Sequence, residues 1–489
     1  MKRNKFYKLV SFFLVVLVVS GLFCFKASAE AAYQTYNYTT DKEETASPDI
    51  YAVSDVIYGA LLPCGTFEEA QDLFIDAQDR VYILDSYNSR VIMLNKNYEL
   101  DSVLSEMNYN GETVTLAQGA EGIFFHDITQ KLYIADTNNN RIIVCDREGN
   151  VSNIFEKPTA PTLDEKIEYK PSKIIVDNNN NMYVISKNVN TGAIMTDQYN
   201  DFIGFFGINP VKETAIMKAE KLWKKLIGKS DYSFQPVAVN NLFWGQDNFV
   251  YSVSTRNEYL VSEVCKLNAL GVNVFDVTEF GDVSEKVENI EIFDVSVDSN
   301  GFFSVLDRYN GKIYCYDTEC NLIGAFGGLG DKRGLYKVPN ALAYNSKGDL
   351  LVLDAEKNNL TVLSKTEYYQ KVYDALVLFL DGQYAESIEP LDEVLKINTN
   401  FNLLYTAKGK ADMMLGNYDD AVDNFEFGNH QENYSVAKQA KRNKTINDNF
   451  TLVTVLIVAI ILALVFIDKV IMFVKFCFKK IVRRKKNET

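Results

Sequence analysis

The chain has 489 residues, 47% hydrophobic and 24% charged, so it holds enough apolar side chains for more than one folded unit and is not a disordered tail. Its 65 acidic residues outnumber the 50 lysines and arginines, and the net charge of −15 argues against nucleic acid as a partner. The two histidines, His126 and His430, lie in different predicted units, which argues against a histidine zinc site or a hydrolytic triad.

Residues 1–29 have the pattern of a secretory signal peptide. Lysines and an arginine precede an uncharged apolar run at 9–25, and Ala27-Ser28-Ala29 forms a small-residue cleavage site. The apolar run is long enough that an uncleaved anchor is the alternative. In both cases the residues that follow are exported.

Six similar segments divide residues 30–365. In each, two β-rich runs flank a polar turn, a third apolar run precedes them, and in most a fourth follows. Four short strands every ~40 to 50 residues are typical of propeller blades, so we predict a mostly β, six-bladed β-propeller. In chain order, the run just before the polar turn is the second of each segment. These second runs end at Asp85, Asp136, Ser186, Ser254, Asp307 and Asp354.

Three of these run ends resemble the NHL-repeat propellers, as does the connection at 326–354. We interpret the motif residues as fold determinants, because Asp and Asn bind turn amides and the basic stem packs along the blade. Related six-bladed lactone hydrolases hold a divalent metal over the channel, so the resemblance implies a metal-dependent lactonase as the alternative function. The motif residues are Asp85, Asn88 and Arg90; Asp136, Asn139 and Arg141; and Asp307, Asn310 and Lys312.

The predicted ring has two irregular places. The sixth blade lacks an outer strand before the helical pattern begins, and the apolar segment at 49–62 is predicted to supply it and close the ring. Cys315 and Cys320 flank one turn; we expect them to be unpaired, with a disulfide as the alternative.

A basic amphipathic helix is predicted at 211–229, between the third and fourth blades. One interpretation packs its apolar stripe on the propeller and leaves its lysines in solvent. The other lets the helix contact an acidic partner or an anionic membrane surface, with a tryptophan as the interfacial anchor. The contact residues would then be Lys218, Lys221, Leu222, Trp223, Lys224 and Lys225.

Residues 366–445 change to helical periodicity and resemble tetratricopeptide repeats. Gly382 and Tyr384 recur 34 residues later as Gly416 and Tyr418, which is the period of that family. The resemblance implies glycine at a tight turn and an aromatic ring between two helices. It also implies a protein partner on the helical face; a spacer that lifts the propeller off the membrane is the alternative.

The run at 450–467 is free of charges and long enough for a transmembrane helix. The tail at 468–489 carries eight lysines and arginines, which places it in the cytoplasm by the positive-inside rule. We therefore predict a single-pass protein of the cell membrane with its larger part extracellular.

These features predict a binding scaffold rather than an enzyme. The propeller face and the helical neck would recognise a protein, sugar or polymer, as an accessory subunit of a transporter or envelope complex. We assign no catalytic residue, no cofactor and no metal ligand, and the lactonase remains the alternative.

Overall fold

The computed structural model describes residues 31–163, 166–227, 236–284, 286–287 and 289–486, with side chains described to residue 480. The predicted signal peptide at 1–29 lies outside the described residues. Three N-terminal strands come first in the chain: β1 (Tyr36–Tyr38), β2 (Glu44–Ala46) and β3 (Tyr51–Tyr58).

Six β-sheets follow, each an antiparallel up-and-down blade. The strands of blades 1 to 3 are β4 (Asp72–Ile75), β5 (Val81–Asp85), β6 (Arg90–Leu94) and β7 (Leu100–Leu104), then β10 (Gly122–His126), β11 (Lys131–Asp136), β12 (Arg141–Cys145) and β13 (Val151–Phe155), then β14 (Pro171–Val176), β15 (Met182–Ser186), β16 (Ala193–Thr196) and β17 (Phe202–Phe206). A small hairpin of β8 (Met107–Tyr109) and β9 (Glu112–Val114) joins blades 1 and 2.

Blades 4 and 5 differ in width. Blade 4 has three strands in the described residues, whereas blade 5 is widened by β1 and β2 on its outer edge. The strands of blades 4 to 6 are β18 (Asn241–Trp244), β19 (Val250–Val253) and β20 (Val264–Leu267), then β21 (Ile292–Val297), β22 (Phe303–Asp307), β23 (Lys312–Tyr316) and β24 (Leu322–Gly327), then β25 (Pro339–Tyr344), β26 (Leu350–Asp354) and β27 (Asn359–Lys365).

The first strands of the six blades contact one another in a closed ring, and the predicted closure is confirmed. β3 pairs along the whole of β27, from Tyr58 opposite Asn359 to Tyr51 opposite Lys365, and so becomes the outer strand of blade 6. Joining the two ends of the propeller in one sheet removes the exposed edge at its seam.

The turn after each first strand lies on one face of the propeller, which we call the mouth face. An up-and-down blade puts the turn between its second and third strands, and the connection to the next blade, on the opposite face. Asp76, Asp177 and Asp298 accept backbone N–H groups two and four residues ahead, and Asn345 does the same in blade 6. These side chains fix tight turns around the mouth.

One helix lies between blades 3 and 4, and six follow the propeller in the described residues. They are α1 (Ala215–Leu226), α2 (Glu367–Leu380), α3 (Tyr384–Ile397), α4 (Asn402–Leu415), α5 (Tyr418–Phe427), α6 (Gln431–Asp448) and α7 (Phe450–Lys486). Gly382 and Gly416 both have φ of 79° at the turns before α3 and α5, a left-handed conformation that favours glycine. Helices α2 to α6 form the neck.

The neck and the propeller share one hydrophobic core. Tyr369, Val372 and Leu376 of α2 pack in the same cluster as Phe302 and Leu306 of blade 5. The neck is therefore docked on the propeller rather than hanging from a free linker.

Helix α7 is apolar and long enough to cross a membrane from Phe450 to Lys480, and none of its most apolar window is buried. It continues past residue 467, the predicted end of the transmembrane run, without a break. By length and composition it is one helix that fits a membrane span.

Candidate functional site

A cavity of about 730 Å³ opens at the mouth face and is the candidate functional site. Its walls are the first strands and their turns, and α2 closes one side with Gln370 and Tyr373. We call it the channel cavity. Its volume is in the range of small-molecule sites, ~300 to 1,000 Å³.

Four polar side chains from four blades form the inner end of the channel cavity. Lys173 Nζ lies 2.6 Å from Asp72 Oδ1, and Asn241 Nδ2 donates to Asp294 Oδ1 over 2.5 Å. All four residues are buried, so each pairing is a charged or amide contact removed from water.

The fold places these four side chains because they occupy equivalent positions of β4, β14, β18 and β21. The two carboxylates also join neighbouring blades: Asp72 accepts from the Ile123 N–H and Asp294 from the Leu342 N–H. In blade 2 the equivalent residue is Gly122, where an added Cβ would lie 2.6 Å from the Ser172 carbonyl oxygen. Only glycine lets blades 2 and 3 approach so closely.

Burial raises the pKa of Asp294 to about 7, with Asp72 nearby adding to the rise and Lys173 opposing it. A carboxyl whose pKa is higher in the folded than in the unfolded chain binds more protons when folded. Its contribution to stability is therefore lost as the pH rises from the ordinary pKa of an aspartate, about 4, to the folded-state pKa of about 7.

We expect the free energy of unfolding of the wild-type protein, relative to the Asp294→Asn variant, to fall by roughly 2 to 4 kcal/mol between about pH 4 and pH 8. Urea unfolding at several pH values measures this difference. A wild-type and variant pair with parallel pH curves would contradict the raised pKa.

The mouth of the channel cavity joins the propeller to the neck. Tyr373 of α2 donates its hydroxyl to Asp298 Oδ2 at 2.6 Å and accepts from Asn300 Nδ2 at 3.0 Å. Lys365 Nζ lies 3.3 Å from the centroid of the Tyr373 ring. A ligand in the cavity would thus contact groups that also hold the first neck helix.

His126 also lines the channel cavity, at the end of β10. Its Nδ1 lies 2.9 Å from Thr129 Oγ1, and its Nε2 is buried without a hydrogen-bond partner in the described part of the chain. Burial lowers its pKa, so the imidazole is neutral near pH 7. Nothing in the sequence indicated that His126 lines a cavity.

The predicted repeat residues lie on the opposite face and are structural in their contacts. Asp136 Oδ1 accepts from the Ala117 N–H, and its Oδ2 accepts from Asn139 and Arg141. Blade 1 repeats this set with Asp85, Asn88 and Arg90. Each carboxylate ties the end of its second strand to the connection that enters its own blade.

Blade 5 keeps part of this set and blade 3 replaces it. Asp307 binds Asn310, but Lys312 Nζ turns to the Tyr36 hydroxyl at 2.7 Å. Ser186 Oγ accepts from the Lys170 N–H at 2.8 Å, so in blade 3 a neutral hydroxyl makes the backbone contact that the Asp carboxylate makes in blades 1 and 2.

Helix α1 exposes its apolar stripe, so the interpretation that packs this stripe on the propeller is wrong. Leu222, Trp223 and Leu226 are 62%, 65% and 73% exposed, and Met217 is the buried residue of the helix. The preceding segment is held by the Lys212 N–H, which donates to the Tyr259 carbonyl. The helix itself is tethered to blade 4 rather than packed along it.

Alanine at Leu222 or Trp223 is expected to change the free energy of unfolding by less than about 0.5 kcal/mol, because neither side chain leaves a core. Chemical unfolding followed by circular dichroism measures it. A loss above about 2 kcal/mol would show that the stripe is packed in the folded protein.

The lactonase alternative needs a metal site in the channel. Among the described residues no group of three or more His, Cys, Asp and Glu side chains is arranged to hold a metal ion. Asp72, Asn241 and Asp294 do converge, but the ammonium group of Lys173 lies among them and pairs with Asp72. The described cysteines, Cys315 and Cys320 among them, are free thiols.

Comparison with known proteins assigns no family to this chain. No family model matches the sequence, and no curated protein matches it. The NHL and tetratricopeptide resemblances therefore stay predictions.

Three solved structures are similar to the chain at low identity. Virginiamycin B lyase from Staphylococcus aureus has a TM-score of 0.41 and 10% identity, covering 65% of this chain and all of the lyase. A gluconolactonase from Xanthomonas campestris has a TM-score of 0.42 and 10% identity, covering 68% of this chain and 97% of the enzyme. The WD40 β-propeller domain of Doa1 has a TM-score of 0.38 and 10% identity, covering 65% of this chain and 98% of that domain.

Proposed function

We propose that this chain is a membrane-anchored extracytoplasmic binding protein that holds a small ligand in the channel cavity. The observation that carries the proposal is the cavity itself, which combines buried polar groups at its inner end, aromatic rings on its walls and a wall shared with the neck. Concave, largely preformed sites of this kind are the usual small-molecule sites of proteins.

The membrane anchor in this proposal is α7, with the basic tail in the cytoplasm and the propeller outside. Support comes from the apolar helix at Phe450–Lys480 and from the lysines and arginines at 468–489. Protease added to intact cells should digest the propeller and spare an epitope tag placed at the C-terminus. A tag that is cut while the propeller stays intact would reverse the proposed orientation.

The neck is proposed as a docking surface for a protein partner. The helices from α2 to α6 form consecutive antiparallel pairs, as protein-binding helical repeats do, and two turns share the same glycine geometry. A crosslinking pull-down of the anchored protein, compared between the wild-type neck and a neck with surface substitutions at Met414 and Phe427, tests it. Both side chains are exposed, so the fold should survive. If every captured protein is independent of these positions, the neck is a spacer.

Helix α1 is proposed as a contact for an acidic partner. It lies on the opposite face, in the connection between blades 3 and 4, whereas the neck that leads to α7 lies on the mouth face. The membrane that holds α7 is therefore the less suitable surface for Leu222 and Trp223. A partner that the protein captures with or without α7, and that the Trp223→Ala variant no longer captures, would support this contact.

The second candidate function is the metal-dependent lactonase, favoured by the convergence of Asp72, Asn241 and Asp294 in the channel. It predicts hydrolysis of simple lactones that EDTA abolishes and Asp294→Asn removes. Absence of hydrolysis with added Ca²⁺, Mg²⁺, Mn²⁺ or Zn²⁺ would leave binding as the function of the cavity.

A further inference from the structure

We infer that the channel cavity takes an organic cation, a ligand that presents a primary ammonium or guanidinium group to the mouth of the propeller. This inference rests on the proposed function, because it names the ligand class of the same cavity.

The charges of the lining do not balance within the protein. Six aspartates line the cavity against three lysines. Asp72 is paired with Lys173, and Asp76 is paired with Arg80 at 2.6 Å. The carboxyl groups that remain are Asp79, Asp127, Asp294 and Asp298. Asp294 is only partly charged near pH 7 because its pKa is raised to about 7, and the other three still outnumber the two remaining lysines.

Two of the remaining carboxylates lie where a ligand would meet them. Asp127 is half-buried, and its two oxygens share the single N–H of Ala77 at 3.2 and 3.3 Å. Asp79, in the adjacent turn, accepts from the N–H and hydroxyl of Ser346. A carboxylate has roughly four acceptor positions, so both keep acceptor capacity for a donor from the ligand.

His126 has a buried ring nitrogen in the same cavity that is unpartnered within the described part of the chain, and in one of its two neutral tautomers this nitrogen accepts a hydrogen bond. The residue is 4% exposed and lines the same cavity, and its Nε2 has no partner among the described residues. A neutral imidazole that donates from Nδ1 to Thr129 Oγ1 presents an acceptor at Nε2. Leaving a buried acceptor unsatisfied costs free energy, which an N–H donor of a ligand would offset.

The walls of the cavity favour a cation over a neutral donor. Phe74, Phe124 and Trp244 are among its aromatic lining residues, and the first two rings lie 5.0 Å apart. Ring faces attract ammonium and guanidinium groups. The protein already uses this arrangement at the mouth, where the Lys365 ammonium lies over the Tyr373 ring, whose hydroxyl binds Asp298.

A neutral ligand such as a sugar would satisfy some hydrogen bonds of the cavity. It would also displace the water that stabilises the negative charge of the excess carboxylates, and it would supply no opposite charge in return. A cation of similar size supplies opposite charge at the same place. The charge difference between two ligands of one shape is therefore the discriminating variable.

The test is isothermal titration calorimetry of the detergent-solubilised full-length protein with cadaverine and with 1,5-pentanediol, which replaces both ammonium groups by hydroxyls on the same carbon chain. We expect the Kd of cadaverine to be at least about tenfold lower than that of pentanediol, and to rise with added salt. Equal affinities would overturn the cationic class while leaving a binding cavity in place. No heat from either compound would overturn it too, without deciding whether a different ligand occupies the cavity.

Variants locate the binding. The double variant Asp79→Asn, Asp127→Asn should weaken cadaverine about tenfold or more, with little change in stability, because both lie in turns and the φ of 59° at residue 79 suits asparagine. Asp55→Asn removes one charge on the exposed part of β3, away from the cavity, and should leave the affinity unchanged. Equal losses in the double variant and in Asp55→Asn would show that cadaverine binds by general charge alone and would overturn the site.

Discussion

Tyr51→Ala is expected to lower the free energy of unfolding by about 3 to 5 kcal/mol, the usual cost of truncating a large buried ring to alanine. Tyr51 lies on β3, is fully buried, and packs against Phe326 of blade 5 and Tyr369 of α2. Its hydroxyl donates to the Gly348 carbonyl at 3.2 Å. The substitution therefore loosens the closing strand, blade 5 and the neck together.

Tyr58→Ala on the same strand is the matched control, because Tyr58 is 42% exposed and its loss should cost less than about 1 kcal/mol. Urea unfolding of the propeller and neck measures both variants. An equally small loss of stability in both variants would mean that β3 is held only by its backbone hydrogen bonds. The closure of the ring would then not depend on the packing of Tyr51.

Lys173→Met is expected to cost about 3 to 5 kcal/mol, because it removes the cation and leaves Asp72 as a buried, unpaired charge. Methionine is unbranched and only one atom shorter than lysine, so most of the loss reports the charge rather than a cavity. The double variant Lys173→Met, Asp72→Asn should recover much of the stability, since it removes both charges.

Lys170→Met is the control for the same chemical change three residues earlier. Lys170 is paired with Glu168 at the surface, with side-chain exposures of 37% and 56%, and such exposed pairs contribute little to stability. A Lys173→Met loss as small as that of Lys170→Met would show that the inner end of the channel cavity is hydrated and its charges are screened.

The repeats contained most of the information needed for the propeller. Alternating apolar runs with polar turns recur six times, and each run became a strand within the predicted ring. The segment at 49–62 was predicted as the closing strand because blade 6 lacked one, and β3 at Tyr51–Tyr58 takes that place. Local patterns of this kind are set by backbone geometry, which repeats from blade to blade.

The residues of the channel cavity were not predicted, because they differ where the repeats agree. The same position of the first strand holds Asp72, Lys173, Asn241 and Asp294 in four blades. These side chains pair with one another because they differ in charge and type, so a search for similar residues at equivalent positions does not find them. The available signal was a charged side chain at the start of an apolar inner strand, as in Lys173 before Ile174 and Ile175.

Long-range contacts account for the other differences. Nothing near Tyr373 indicates that its hydroxyl reaches Asp298, 75 residues earlier in the chain. The stripe of α1 has the same pattern whether it is packed on the propeller or exposed, since amphipathicity defines a face and not what covers it.

The central claim is that the channel cavity is the ligand site of the propeller, and site-specific photocrosslinking in living cells tests it most directly. A photoreactive amino acid at Ile128, which lines the cavity mouth and is 67% exposed, should give a defined adduct with a small ligand. The same amino acid at Leu270, 85% exposed on blade 4 and away from the cavity, should give none. No adduct at Ile128, or the same adducts at both positions, would contradict a ligand site in the channel.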